Sequence, residues 1–271
     1  MTLLLHASDL HFGTEQPQVV AALERLVADQ RPDVLLLSGD VTQRATAAQF
    51  AAARTFIDRL QVPAMVAVPG NHDIPLFDLP RRVFNPYGRW RQAFGDDLEP
   101  VFENAAVLVI GVNSTRRWRH VQGEIADLQV ARVAQRLAAA SPRQWKLVVL
   151  HQPVAVPRPD EDHNLVRGYA KAVKYWRTAG ADMVLAGHNH LPWAAPLVTT
   201  GDAGRVIWAV NAGTAVSHRV RPEAGNSVNM IRITELADGA AGARQALIER
   251  WDHQAEGDAF ACVAQRELRR R

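Results

Sequence analysis

Short apolar runs alternate with longer amphipathic segments over the first two thirds of the chain. The runs have the length of buried β-strands, and they cover residues 3–6, 34–37, 65–68, 107–110, 147–150 and 183–185. The segments between them have the spacing of amphipathic helices, and they cover residues 17–29, 45–60, 79–94, 126–139 and 165–179. Strands that alternate with helices predict a largely parallel sheet with helices on its faces.

The last third has a different pattern, in which strand-like runs are separated by Gly, Asp and Asn turns with little helix between them. These runs cover residues 195–199, 205–210, 228–234 and 246–251, and they favour a second, more antiparallel sheet. Both halves fit an α/β fold, a four-layer αββα sandwich in which two packed mixed β-sheets are flanked by helices. We predict a single domain over residues 1–271, with a core to about 251 and a C-terminal tail from about 252 to 271.

The composition narrows the chemistry that this fold can carry. A single cysteine, Cys262, excludes an intrachain disulfide and a thiolate-rich zinc site. No run approaches the roughly 18 uncharged apolar residues of a membrane span, and the first run is too short for a signal peptide, so we expect a cytoplasmic protein. The net charge is +3 and most basic residues are arginines. That bias follows more simply from genome base composition than from a nucleic-acid surface, so a nucleic-acid partner is not favoured.

Five short polar motifs each follow a predicted strand. They are Ser8-Asp9-Leu10-His11, Ser38-Gly39-Asp40, Gly70-Asn71-His72-Asp73, His151-Gln152-Pro153 and Gly187-His188-Asn189-His190. In an open α/β sheet, ligands bind beyond the carboxyl ends of the strands. We therefore expect the five motifs at one edge of the fold, although they are far apart in the sequence.

The motifs contain two carboxylates, one amide and four imidazoles that together suit a metal site. These candidate ligands are Asp9, His11, Asp40, Asn71, His151, His188 and His190. Mixed oxygen and nitrogen donors favour Mn, Fe or Zn over Mg or Ca, and seven donors suit two divalent ions that share a bridging carboxylate better than one tetrahedral ion. Each motif alone also has a structural interpretation, because aspartate and asparagine are common in turns and a single histidine is more often a surface or core residue. Their order and their places at strand ends favour the metal site.

The same series resembles the calcineurin-like metallophosphoesterases over residues 8–190, and residues 38–45 and 70–75 look closest to a bacterial branch related to class III cyclic-nucleotide phosphodiesterases. The resemblance implies a first metal held by Asp9, His11, Asp40 and His190, and a second held by Asp40, Asn71, His151 and His188. It also implies two catalytic residues: His72 as the non-ligand histidine near the scissile phosphate, and Asp73 as a residue that orients His72 or supports the ligands. Many relatives have two adjacent histidines where this chain has His151-Gln152, so only His151 fits as the ligand.

These roles predict a binuclear phosphoesterase in which a metal-bridging hydroxide attacks a phosphodiester in line. The two ions would lower the pKa of water and offset charge on the phosphoryl oxygens, and His72 would protonate the leaving oxygen. The expected substrate is a small phosphodiester, first of all a 3′,5′-cyclic nucleotide, and the assembly considered is a homodimer.

Other functions use the same metal core. A nuclease would draw on the arginine clusters and on Trp90 and Trp118 for base stacking, and a nucleotide-linked lipid diphosphate hydrolase would need an apolar groove beside the site. A non-catalytic binding module is disfavoured, because all seven ligand positions and His72 carry competent residues. We expect the loops at 75–90, 115–123 and 153–164 to set the substrate, with His163 as one candidate contact.

Overall fold

The computed structural model describes residues 1–197, 205–235 and 244–268. In these ranges the strands are β1 (Thr2–Ala7), β2 (Val34–Leu37), β3 (Ala64–Ala67), β4 (Val101–Glu103), β5 (Val107–Gly111), β6 (Trp145–Val149), β7 (Met183–Ala186), β8 (Trp193–Leu197), β9 (Ile207–Asn211), β10 (Ser227–Glu235), β11 (Arg244–Gln254) and β12 (Ala259–Leu268).

The helices lie between the strands of the first two thirds of the chain. They are α1 (Pro17–Gln30), α2 (Ala47–Leu60), α3 (Leu79–Phe84), α4 (Gly88–Phe94), α5 (Asp127–Ala139) and α6 (Tyr169–Thr178), with short 3-10 helices at Asn71–Asp73 and Pro159–Asn164. None of the helices in the described ranges combines the length and apolar character that crossing a membrane requires.

Two mixed sheets pack face to face, which confirms the predicted α/β sandwich. The first sheet has the order β12-β11-β10-β1-β2-β3, with β1, β2 and β3 parallel and β10, β11 and β12 antiparallel. The second has the order β4-β5-β6-β7-β9-β8, with a parallel centre and antiparallel edge strands.

The central parallel strands are mostly apolar because both of their faces are buried. In β1, Leu4 points into the core between the two sheets, whereas Leu3 and Leu5 belong to the core that packs under α1 and α2. A third core lies between the second sheet and the helices α5 and α6. The layers are therefore helix, sheet, sheet and helix.

Two predicted helices are shorter than expected. The single helix predicted over 79–94 is two helices, α3 and α4, because Pro86 lacks an amide hydrogen and disfavours helical geometry at Asn85. The helix predicted over 165–179 begins only at Tyr169, after Gly168, which has a φ of 84°. The residues ahead of Gly168 belong instead to the loop that follows β6.

The prediction of a C-terminal tail from about residue 252 is wrong for most of that segment. Strand β11 continues to Gln254, and β12 pairs with it as the edge of the first sheet. The sequence hides β12 because most of its side chains are exposed and only Phe260 and Leu268 are buried, so an alternating pattern is absent. The strand predicted over 195–199 corresponds to β8, and its last two positions lie outside the described residues.

Candidate metal centre

The five polar motifs meet where the parallel strands of both sheets end. In the first sheet, Ala7 pairs with Leu37 and Leu37 with Ala67, so three strands end at the same level. In the second sheet, Val149 pairs with Leu185 near the ends of β6 and β7. The segments that follow these five strands therefore begin side by side.

Five of the seven predicted ligands have left-handed backbone conformations, which L-residues rarely adopt. The φ angles are 53° at Asp9, 46° at His11, 50° at Asp40, 74° at His188 and 57° at His190. Such conformations cost on the order of 1 kcal/mol or more each, so they persist only where surrounding contacts hold them. Strain concentrated at one edge is typical of a functional site.

Two motif glycines are required because the backbone passes very close to ligand side chains. A Cβ atom on Gly70 would lie 2.2 Å from Asp40 Oδ1, and one on Gly187 would lie 2.4 Å from Asp9 Oδ2. Neither position has room for a side chain. The glycines therefore allow the ligand loops to pack against one another.

Asp9, His11 and His190 form a first cluster of donor atoms. His190 Nε2 lies 3.1 Å from His11 Nε2 and 3.2 Å from Asp9 Oδ1. The other ring nitrogen of His190 donates to the carbonyl oxygen of Arg219 at 2.5 Å, which leaves Nε2 to face the cluster.

Asp40, His151 and His188 form a second cluster, and Asn71 joins it. His151 Nε2 lies 3.0 Å from Asn71 Oδ1, 3.2 Å from His188 Nδ1 and 3.3 Å from Asp40 Oδ2. His151 Nδ1 donates to the carbonyl oxygen of Ser38 at 2.8 Å. That bond orients the ring and leaves Nε2 as the nitrogen that can ligate.

Asp40 lies between the two clusters. Its Oδ2 atom is 3.8 Å from His11 Nε2 in the first cluster and 3.3 Å from His151 Nε2 in the second. Among the described residues, the buried Oδ1 of Asp9 has no hydrogen-bond partner, an arrangement that costs about 1–3 kcal/mol unless a ligand satisfies it. An unsatisfied buried carboxylate oxygen that faces two imidazoles fits a cation, and the donor set as a whole fits a pair of them.

The charges of the site also favour bound cations. Burial would raise the pKa of Asp9 and of Asp40, but the neighbouring imidazoles hold both well below the usual range. Burial by itself lowers the pKa of His151, but the charge of Asp40 and the hydrogen bonds of the ring outweigh burial and raise this pKa to about 9. Burial and the charge of His151 lower the pKa of His188 to about 3. The two aspartates thus remain ionised and attract positive charge to the point between the clusters.

His72 faces the same centre from its edge. Its ring lies edge-on to that of His11, with 4.9 Å between the centroids, and its backbone N–H donates to Asp40 Oδ1 at 2.7 Å. His72 Nδ1 donates to the carbonyl oxygen of Gln43 at 2.9 Å, so Nε2 is the nitrogen directed at the centre.

Asp73 has a different position from the one implied by a role in orienting His72. Its carboxyl accepts hydrogen bonds from the amides of Gly70, Val41 and Thr42 and from the Thr42 hydroxyl, at 2.8–3.2 Å. Burial, and then the charge of Asp40, raise its pKa to about 7. Asp73 therefore joins the loops after β2 and β3 and supports the ligands through the backbone.

Gln152, which stands where many relatives have a histidine, is fully buried. Its Oε1 accepts from Ser114 Oγ at 2.6 Å and its Nε2 donates to the carbonyl oxygen of Val121 at 3.1 Å. The side chain thus holds the loop after β5 against the ligand loop that carries His151.

Sequence reasoning missed two residues of the centre. Arg219 Nη1 lies 3.2 Å from His11 Nε2 and 3.3 Å from His72 Nε2. Glu161 is buried in the loop after β6 and accepts from Asn189 Nδ2 at 3.1 Å, between the two ligands of the Gly-His-Asn-His motif. Neither residue lies in a recognisable motif, and Glu161 stands in a polar run, residues 158–164, where no local signal separates it from its acidic neighbours.

One expectation about an aromatic side chain does not agree with the structure. Trp90 is fully buried in the core against Phe94, so it cannot stack on a nucleic-acid base. His163, the candidate substrate contact, is exposed, with its Nδ1 bonded to the carbonyl oxygen of Asp160, and its role stays a prediction. Trp118 is the one of the two tryptophans that remains accessible, with 69% of its surface exposed.

Comparison with known proteins decides the family. The model of the calcineurin-like phosphoesterase family matches residues 2–192. The chain belongs to this family. It is thus a metal-dependent phosphoric ester hydrolase by family, and its clustered donor side chains could hold metal ions.

Two bacterial relatives of this phosphoesterase are phosphodiesterases by name. A glycerophosphodiester phosphodiesterase, GpdQ, of Enterobacter lignolyticus is 21% identical over 69% of this chain and 70% of that protein. A probable cyclic nucleotide phosphodiesterase of Rhodococcus erythropolis is 26% identical over 69% of this chain. The match spans 64% of the Rhodococcus protein, somewhat less than two thirds of its length.

Solved structures support the fold. A purple acid phosphatase from yellow lupin seeds superposes with a TM-score of 0.72 at 12% identity, over 99% of this phosphoesterase and 53% of the lupin chain. A dimetal phosphatase from Danio rerio superposes with a TM-score of 0.63 at 12% identity, over 99% and 98% of the two chains.

Proposed function

We propose that this phosphoesterase hydrolyses small phosphodiesters at a centre of two divalent ions, with Mn, Fe or Zn as the candidates. The observation that carries the proposal is the convergence of seven donor side chains into two clusters joined by Asp40, with Asp9 Oδ1 buried and unsatisfied. Asp9, His11, Asp40 and His190 would hold one ion, and Asp40, Asn71, His151 and His188 the other.

When bound, two such ions would lower the pKa of water and offset the charge that develops on the phosphoryl oxygens. The chain supplies the remaining functions. Because His72 Nδ1 donates to the Gln43 carbonyl, Nε2 is the nitrogen that would give a proton to the leaving oxygen. Asp73 would hold the loops in place rather than take part in proton transfer.

The names of the relatives support a phosphodiester rather than a monoester. One relative is named for glycerophosphodiesters and the other for cyclic nucleotides. A 3′,5′-cyclic nucleotide therefore stays the first substrate to assay, with a glycerophosphodiester beside it.

A nucleotide-linked lipid diphosphate is a second candidate, because a largely apolar cavity of about 900 Å³ is lined by residues that follow two of the ligand motifs. Its lining begins at Val154, three residues after His151, and includes Trp193, three residues after His190. Leu165 and Val173 contribute further apolar surface. A cavity of this size suits part of an acyl or isoprenoid chain.

The test is hydrolysis of bis(p-nitrophenyl) phosphate by purified protein with and without added Mn. We expect metal-dependent hydrolysis that is abolished by chelation and by Asp40→Ala or His188→Ala. Asp127→Ala is the matched control, because Asp127 is 80% exposed on α5 and pairs with Lys171 at the surface. If either ligand variant hydrolyses the diester at the wild-type rate, the proposed mechanism is wrong.

A further inference from the structure

Three arginines and a histidine surround the His72 side of the metal centre. We call this group, Arg44, Arg82, Arg219 and His120, the arginine rim. Its members come from the loops that follow β2 and β5, from helix α3, and from the segment between β9 and β10. Four parts of the chain thus bring basic side chains to the His72 side of the proposed site.

Arg219 is the member closest to the reacting groups. Its Nη1 atom lies 3.1 Å from Gln43 Oε1, 3.2 Å from His11 Nε2 and 3.3 Å from His72 Nε2. Its carbonyl oxygen holds the ring of His190. The guanidinium is thus held beside the position that a phosphoryl group bound at the centre would take.

Arg82 and Arg44 lie farther out on the same side. Arg82 donates to the carbonyl oxygens of Pro75 and Arg119, both at 3.1 Å, which places it next to His120. The ring of His120 lies 6.4 Å from that of His72. Arg44 follows Gln43, the residue that holds His72, and its guanidinium lies 5.5 Å from the ring centre of Phe77.

The rim arginines differ from nearby arginines in lacking acidic partners. In the described ranges, no carboxylate lies within ion-pair distance, 4.0 Å, of Arg44, Arg82 or Arg219. By contrast, Arg81 pairs with Asp78 at 2.9 Å and Arg119 with Glu124 at 3.2 Å. The uncompensated charges therefore collect on the side that faces the centre.

The metal ligands offer no compensation. Asp9 and Asp40 would supply two negative charges against the four of two divalent ions, so nothing remains to neutralise the rim. Burial, and then the charges of His72, Arg82 and Arg44, lower the pKa of His120. A group of like charges at close range is unfavourable by itself and becomes favourable when an anion binds among them.

We propose that the arginine rim is a second anion site that binds a phosphate group of the substrate in addition to the phosphodiester at the metal centre. The proposal rests on the proposed function and narrows its substrate class to phosphodiesters that carry a second phosphate. Arg219 would contact the phosphodiester, and Arg44, Arg82 and His120 would contact the second phosphate. Guanidinium groups suit this task because they bind phosphate oxygens through paired, charge-assisted hydrogen bonds.

The experiment measures binding, so it does not depend on turnover. Thymidine 3′,5′-bisphosphate and thymidine 5′-monophosphate are titrated into the Mn-loaded protein by calorimetry, and phosphorus NMR verifies that both remain intact. They differ only in one phosphate. We expect the bisphosphate to bind about tenfold more tightly or better, with an advantage that falls as salt rises.

Two variants locate the effect. Arg44→Ala removes an exposed side chain whose guanidinium lies over the ring of Phe77, so the fold should not suffer. Arg82→Ala removes the guanidinium that lies next to His120. Either change should reduce the bisphosphate advantage several-fold while monophosphate affinity stays nearly constant. Arg81→Ala is the control, since Arg81 lies in the same helix as Arg82 and is paired with Asp78.

The rim proposal is overturned if the bisphosphate binds no better than the monophosphate, or if its advantage survives in both variants. Hydrolysis of bis(p-nitrophenyl) phosphate tests the proposed function separately. A bisphosphate advantage without hydrolysis supports the rim proposal and contradicts the proposed function. Hydrolysis without a bisphosphate advantage supports the proposed function and contradicts the rim proposal.

Discussion

The ligand edge and the arginine rim lie side by side but are built in different ways. The ligand edge, formed by the seven candidate metal ligands, follows directly from strand ends, and its side chains are almost wholly buried. The rim is carried by loops and by the short helix α3, and Arg44 and His120 are exposed. The ligand edge has a fixed geometry that suits one reaction. The rim lies on connecting segments, which vary more and often determine which substrate binds. We therefore assign the chemistry to the ligand edge and the substrate preference to the arginine rim.

His72 lies where the two regions meet, and replacing it should give the largest effect that spares the metals. We expect His72→Ala to lower kcat for a diester by roughly 10²–10⁴-fold, because a positioned proton donor is lost. Metal content, measured by mass spectrometry, should not change. His253→Ala is the matched control, because His253 lies on β11 and its ring bonds to Asp258 rather than to a ligand. A parallel loss of metal would make His72 a ligand rather than a proton donor.

The ligand edge should also make the stability of the metal-free protein depend on pH. His151 has a folded pKa of about 9 against an ordinary value of 6.5, so its stabilising proton is fully bound below pH 6.5 and lost as the pH rises through 9. We expect the free energy of unfolding to fall by on the order of 1 kcal/mol per pH unit between pH 7 and 9.

Other shifted groups of the edge do not counteract this trend. Above pH 7, Asp73 is mostly ionised whether folded or unfolded, and His6 and His188 are neutral in both states. Urea unfolding with a chelator at pH 7 and pH 9 measures the effect. Protein loaded with Mn should not lose stability over this range, because metal binding displaces the proton. Equal stability of the chelated protein at both pH values would contradict the account.

Asp73 tests whether support of the edge is separable from its chemistry. Asp73→Asn turns an amide towards backbone donors and should cost about 2 kcal/mol of unfolding free energy, measured in urea at pH 8. The shape of the kcat–pH profile should not change. Asp127→Asn is the exposed control. Unchanged stability together with the loss of one limb of the profile would restore Asp73 to the catalytic role that the family resemblance implied.

The strand-end motifs were readable from the sequence because their positions depend on backbone topology alone. Once Leu3-Leu4-Leu5 and its counterparts are buried strands, the polar residues after them must share an edge. Arg219 was not readable, because a loop between β9 and β10 carries it to His72 and no local pattern encodes that approach. The edge strand β12 was missed for a related reason, since its exposed side chains lack the alternation by which strands are detected.

Gln152 connects the two regions and should show the smallest effect. Gln152→Ala removes the bonds to Ser114 and Val121, which should cost about 1 kcal/mol and loosen the loop that carries His120. We expect the bisphosphate advantage to shrink while hydrolysis of bis(p-nitrophenyl) phosphate stays within a few-fold of wild type. Equal losses in both assays would show that the edge and the rim do not act separately.

Metal titration tests the central claim most directly. Metal-free protein is loaded with increasing Mn, and bound metal and hydrolysis of bis(p-nitrophenyl) phosphate are measured on the same samples. The account predicts that hydrolysis reaches its maximum when two ions are bound per chain. The Asp40→Ala protein should reach neither two bound ions nor the maximal rate of hydrolysis. Full activity with one ion per chain, or in the presence of a chelator, would contradict a dimetal centre joined by Asp40.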